Sequence, residues 1–183
     1  QPHGYRYFDY ITQELPKVIG NMFQVSQKRE DTFIAGLSMG GYGALHAAAL
    51  CPDQYAAAAS LSGVVDIGVM YESKELYSDA ERLMTFDNKD PRGGENDLVV
   101  EFQNAVKAGK KLPKMVCAVG NQDFLHDYNI AFYDKVKDLA DIELWTEDGD
   151  HTWDFWDRNI KRVLQWLPIK QRLDDYKPQF VVK

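Results

Sequence analysis

Cysteine is scarce in this 183-residue chain: Cys51 and Cys117 are the only two. That excludes a small scaffold stapled by disulfides. Both lie in apolar stretches that suit small buried hydrophobes, so a reducing, cytoplasmic compartment is expected. No apolar run reaches 18 residues and no charged-then-apolar leader opens the sequence, so no membrane span or secretion signal is predicted. Excess positive charge is lacking too: 21 Lys and Arg against 28 Asp and Glu give a net charge of -7. Without a basic patch interleaved with aromatics, nucleic acid is not an expected partner. Internal repeats and low-complexity tracts are missing as well. What remains is an ordinary globular composition, 45% hydrophobic, on a chain long enough to bury roughly 70% of its unfolded surface in one core.

Hydrophobic periodicity organises that core. Over residues 8–23, Phe8, Ile11, Leu15, Val18, Ile19, Met22 and Phe23 recur at intervals of three and four, the period of an amphipathic helix, with a kink expected at Pro16. A charged connector leads into a short buried strand over 32–36, followed by a helix of small residues to Leu50. Strands are expected near 56–61, 115–119 and 142–146, and helices near 98–108, 129–139 and 155–167. This alternation implies an α/β fold with a mostly parallel sheet and helices on both faces. Residues 66–96 interrupt it as a long charged excursion carrying Met70, Tyr71, Tyr77, Leu83, Met84 and Phe86. It is expected either to lie on the surface with a helical turn near 78–84, or to cover a substrate with its apolar residues lining the pocket.

One local motif carries chemistry. Gly36-Leu37-Ser38-Met39-Gly40, backed by Gly41, fits G-x-S-x-G between a predicted strand and a predicted helix. A sharp strand-to-helix turn strains the serine backbone, and flanking glycines avoid collisions, so the Ser38 hydroxyl is pushed outwards. The Met39 backbone N–H and the helix N-terminus then point to where an oxyanion would form. A serine needs a base, and a base needs an orienting carboxylate. Asp123 follows the 115–119 strand and His151 follows the 142–146 strand, in the order Ser, Asp, His. Because a parallel sheet gathers the carboxyl ends of its strands on one edge, all three can converge there.

Rival residues fit less well. His46 falls inside the helix after the turn, where a packed or capping role is expected. His126 follows the acid's own strand, where the fold places no base. Asp127 and Asp150 read as loop carboxylates or turn formers. Leu37, Tyr71 and Trp153 are candidates for contacting a substrate.

Taken together, these residues resemble the esterase D group of α/β-hydrolases, which includes S-formylglutathione hydrolases, tributyrin-type short-chain esterases and related acetyl-xylan and feruloyl esterases. The resemblance rests on residues 36–44, Ala59-Ser60-Leu61-Ser62-Gly63, Gly120-Asn121-Gln122-Asp123, and Gly149-Asp150-His151-Thr152-Trp153 with Trp156. Phe8-Asp9-Tyr10 and Glu14-Leu15-Pro16 extend it across the first helix. It implies the α/β-hydrolase fold, a Ser38-His151-Asp123 triad without cofactor, and hydrolysis of short acyl esters. Thioesters such as S-formylglutathione, carbohydrate esters, and a non-catalytic binding domain are the alternatives. One departure stands out: such enzymes carry several strands and a His-Gly oxyanion loop ahead of the elbow helix, and only 37 residues precede Ser38. His3-Gly4 leads straight into the first helix and cannot occupy that loop. The chain is therefore expected to be one domain, the carboxyl-terminal portion of a longer esterase. A partner is expected too, either the missing front segment or a second copy.

Overall fold

The computed structural model describes residues 5–74 and 78–169. His3, Gly4 and Tyr77 lie outside them. The sheet consists of β1 (Phe33–Leu37), β2 (Ala57–Leu61), β3 (Lys114–Gly120) and β4 (Ile142–Glu147), all parallel, in the order β1-β2-β3-β4. The two central strands are built from small and branched apolar residues and are buried along almost their whole length, as strands covered on both faces must be. Edge strands β1 and β4 are only partly buried.

Alternate residues of the strands feed two cores. Ala58, Met115 and Cys117 point to one face, where α3 (Met39–Leu50), α6 (Leu98–Lys107) and α7 (His126–Val136) supply Leu45, Phe102 and Phe132. Ala57, Ala59, Val116 and Ala118 point to the other, where α8 (Trp153–Trp166) supplies Phe155, Trp156 and Val163. Phe102 and Phe155 are at most 1% exposed, and each contributes about 1.5–3 kcal/mol by leaving water. Cys51 and Cys117 are both free thiols. Burial in the sheet pushes the Cys117 thiol up to about 12, whereas Cys51 is only half-buried, contrary to the expectation of two equivalent buried residues.

Two other expectations need correction. The first helix is continuous from Tyr7 but irregular: α1 (Tyr7–Asp9) runs through a π turn (Tyr10–Glu14) into α2 (Leu15–Met22). The π turn contains Thr12, four residues before Pro16, so the disturbance expected of the proline takes the form of a widened turn ahead of it. Its apolar stripe is only partly used. Phe8 packs edge-on to the His46 ring, while Ile11, Val18, Met22 and Phe23 remain exposed. Secondly, α7 begins three residues earlier than periodicity suggests. The Asp123 carboxylate accepts the Leu125 N–H at 2.9 Å and the Asp123 carbonyl accepts the His126 N–H at 2.9 Å, so the acid loop itself starts the helix.

The excursion contains α4 (Gly68–Glu72) and α5 (Asp79–Phe86), the latter opened by a capping box between Ser78 and Glu81. Arg92 closes its base, gripping Asp66 at 2.9 Å and Glu72 at 2.6 Å. Of the excursion's residues, Asp66, Ile67 and Arg92 help line a cavity of about 340 Å³ against α6 and α7. Leu83 and Met84 are exposed instead of lining it. Among the described residues no helix is long and apolar enough to cross a membrane.

Candidate active site

Ser38 occupies the turn between β1 and α3 with φ 52° and ψ -120°, a conformation that non-glycine residues rarely adopt. Two close approaches make the turn possible. A Cβ on Gly36 would fall 2.2 Å from the Gly40 carbonyl oxygen, and one on Gly41 would fall 2.8 Å from the Gly63 Cα. Main-chain hydrogen bonds hold the strain: the Ser38 N–H donates to Leu61 at 2.9 Å, and the Ser38 carbonyl accepts from Gly41 and Val64 at 3.0 and 3.2 Å. Met39 is the first residue of α3, so its N–H has no acceptor inside the helix and faces the rim with the positive end of the dipole.

The acid and base loops reach the same rim. Past β3, Asn121 donates its N–H to Glu147 at the end of β4 and Gln122 donates to Gly149 beyond it, at 2.8 and 2.9 Å. The Gln122 side chain accepts the Gly149 N–H at 2.7 Å, and Asn121 donates to the Asp148 carboxylate. The two loops are thus stitched backbone to backbone. Gly120 permits this closeness, since a Cβ there would lie 2.1 Å from the Gly149 carbonyl oxygen.

The result is a relay of three side chains. His151 Nδ1 lies 3.1 and 3.2 Å from the two Asp123 carboxylate oxygens, and its Nε2 lies 3.1 Å from Ser38 Oγ. The Asp123 side chain is fully buried and that of His151 is 19% exposed. A carboxylate can only accept, so Nδ1 carries the ring proton and Nε2 presents its lone pair to the serine hydroxyl. That arrangement can take a proton from Ser38 as its oxygen attacks an electrophile.

The rivals sit elsewhere. His46 Nδ1 bonds the Glu101 carboxylate at 2.7 Å between α3 and α6, with Phe8 and Tyr42 against its ring. His126 pairs with the exposed Asp127. The Asp150 side chain accepts the His151 N–H and so shapes the base loop. Leu37 packs into the α8-side core. Trp153, 73% exposed, stands edge-on to Trp156 at the rim. Tyr71 is spent within the excursion, its ring against Phe86 and its hydroxyl donating to the Asn88 carbonyl. Phe124 escaped sequence reading: it is 60% exposed and lies 4.8 Å from the His151 ring. Its place directly after the acid was the available signal. Among the described residues, no three His, Cys, Asp or Glu side chains gather as metal ligands.

The family model described as "Putative esterase" matches residues 1–167. The chain belongs to this esterase family. An acetyl esterase from Caldicellulosiruptor saccharolyticus is 28% identical over 166 residues, a span of 87% of this chain and 62% of the relative. Among solved structures, the fluorophosphonate-binding serine hydrolase FphF of Staphylococcus aureus superposes with a TM-score of 0.83 at 33% identity. The match covers 90% of this chain and 64% of that one. The S-formylglutathione hydrolase FrmB of the same organism gives 0.80 at 32%, covering 90% and 65%. These likenesses, with the parallel sheet, establish the α/β-hydrolase fold. The esterase-family chain spans less than two thirds of the length of each of these relatives.

Proposed function

We propose that this chain carries the reacting groups of a serine esterase that hydrolyses short-chain carboxylic esters. The observation that carries the proposal is the 3.1 Å approach of His151 Nε2 to Ser38 Oγ, with Asp123 on the far nitrogen. Ser38 Oγ attacks the ester carbonyl while its proton passes to Nε2. The oxyanion is met by the Met39 N–H at the head of α3, a donor whose removal from such a site costs about 10²- to 10³-fold in rate. Collapse expels the alcohol, which takes the proton from the imidazolium and leaves an acyl group on Ser38. Water then repeats the sequence, giving its proton to His151 as it attacks, and the acid departs. Asp123 holds the ring in the tautomer with the proton on Nδ1 throughout. The exposed ring of Phe124, beside His151, offers an apolar contact to the substrate.

Likeness to the acetyl esterase supports a small acyl group. Likeness to the S-formylglutathione hydrolase supports a thioester as the second reading. Turnover of p-nitrophenyl acetate against an acyl thioester on the complete polypeptide ranks the two. The chemistry itself is tested by Ser38→Ala, which is expected to lower turnover by about 10³-fold or more and to abolish labelling by a fluorophosphonate. Turnover retained by the variant overturns the proposal.

A further inference from the structure

The end of β2 and the loop after it grip the Ser38 backbone from both sides, through the Leu61 carbonyl and the Val64 N–H. Between them stands Ser62, fully buried and at φ 47°. Positive φ in a non-glycine residue is strained and persists only where its surroundings enforce it. Two bonds do so here. The Ser62 N–H donates to Ala118 in β3 at 2.7 Å, and the Ser62 hydroxyl oxygen accepts the indole N–H of Trp156 at 3.1 Å. Trp156 lies in the first turns of α8 and is 8% exposed. Its ring stands at 88° to the His151 imidazole with the centroids 5.0 Å apart, the edge-to-face geometry that aromatic rings prefer. One path of contacts therefore runs from the segment that bonds the Ser38 main chain, through Ser62 and Trp156, to the His151 ring.

Asp123 alone leaves the imidazole a freedom that matters. A carboxylate at Nδ1 fixes one end of the ring, but the ring can still tilt about that contact and swing Nε2 away from Oγ. A wall set at right angles removes the tilt. Phe124 limits the ring on another side, but at 60% exposure it has far less holding it in place. We infer that Trp156, anchored by Ser62, is a positioning residue that holds His151 Nε2 at bonding distance from Ser38 independently of Asp123. The inference rests on the ester-hydrolysis reading above. It also gives the strained Ser62 a purpose: the same short loop that fixes the nucleophile fixes the base, so their separation is set by one piece of structure.

The test is a double-mutant cycle on the complete polypeptide with p-nitrophenyl acetate, using Trp156→Phe, Ser62→Ala and both together. Trp156→Phe keeps a ring and removes the N–H; Ser62→Ala removes the acceptor. Each single change is expected to lower kcat about tenfold with KM within about twofold, because small misplacements of a reacting group act on the chemical step. The double variant is expected to stay near tenfold, since the second change removes a bond already lost. Wild-type kcat in either single, or a hundredfold multiplicative loss in the double, overturns the inference. If Ser62→Ala fails to fold, Ser62→Gly, which accepts φ 47° freely, must still show the tenfold loss. Failure of the two readings is separable. Activity surviving Ser38→Ala sinks the esterase proposal, whereas an inactive Ser38→Ala beside a fully active Trp156→Phe sinks only the positioning role.

Discussion

Two regions of the described structure hold a histidine against a buried carboxylate, and in only one does the other ring nitrogen face a serine hydroxyl. At the carboxyl rim of the sheet, His151 meets Asp123 at 3.1 Å; between α3 and α6, His46 meets Glu101 at 2.7 Å. Both carboxylates are buried and both rings nearly so. They differ in what surrounds them. Asp123 also accepts a main-chain N–H, and the free nitrogen of its histidine faces Ser38. One Glu101 oxygen is buried without a partner, and its histidine is enclosed by Phe8 and Tyr42. A histidine–carboxylate pair is thus not a catalytic signature in itself. What sets the rim pair apart is its place at the strand ends, opposite the strained turn that carries Ser38.

The comparison can be broken most forcefully by making one change at both pairs. Asp123→Asn is expected to lower kcat about 10⁴-fold, because an amide at Nδ1 allows the wrong tautomer, while Glu101→Gln leaves kcat within about twofold, being remote from Ser38. Equal effects on p-nitrophenyl acetate turnover would erase the distinction. A smaller effect is expected from Gly120→Ala. The added Cβ drives the acid and base loops apart, lowering kcat about 10- to 100-fold and stability by about 1–3 kcal/mol in denaturant titrations. The corresponding contact at the other pair is between side chains on two helices, so no single glycine governs it.

The smallest effect separates the pairs by pH. Burial, only partly offset by the hydrogen bond from His46, holds the Glu101 carboxyl above the usual carboxylate range. A group whose value is raised by folding contributes stability below its unfolded value and loses it as pH climbs through its folded one. Wild-type stability should therefore fall relative to Glu101→Gln as pH rises through and above the carboxylate range. The melting temperature of the variant should gain on the wild type over that window, by about 2–4 °C for each kcal/mol in a chain of this size. A melting difference that stays flat with pH would remove Glu101 as the less satisfied carboxylate.

Much of this was readable in the chain. Phe33–Leu37 followed by Met39–Leu50 emerges as strand, turn and helix because short-range sterics decide it: branched residues extend, alanines coil and glycines allow the bend. That Asp123 and His151 would meet at one rim could be expected because each follows a strand, and parallel strands end on one edge. The start of α7 was misread because the Asp123 side chain bonds main chain two residues on, a local bond that starts the helix before its apolar period becomes visible. The first helix shows the opposite limit. Its period is plain, yet periodicity does not say what a face packs against, and here only part of that face is covered.

The alternation of strands and helices, the strained turn at Ser38 and the placing of Asp123 and His151 at one rim of the sheet were therefore written in the sequence, because they follow from local sterics and strand order. Tertiary structure alone decided which carboxylate each histidine meets, that Tyr71 turns into the excursion, and that Ser62 and Trp156 join nucleophile to base. Those outcomes are distances of about 3–5 Å between residues as many as 113 positions apart, and only the packing of the whole sheet and its helices sets them.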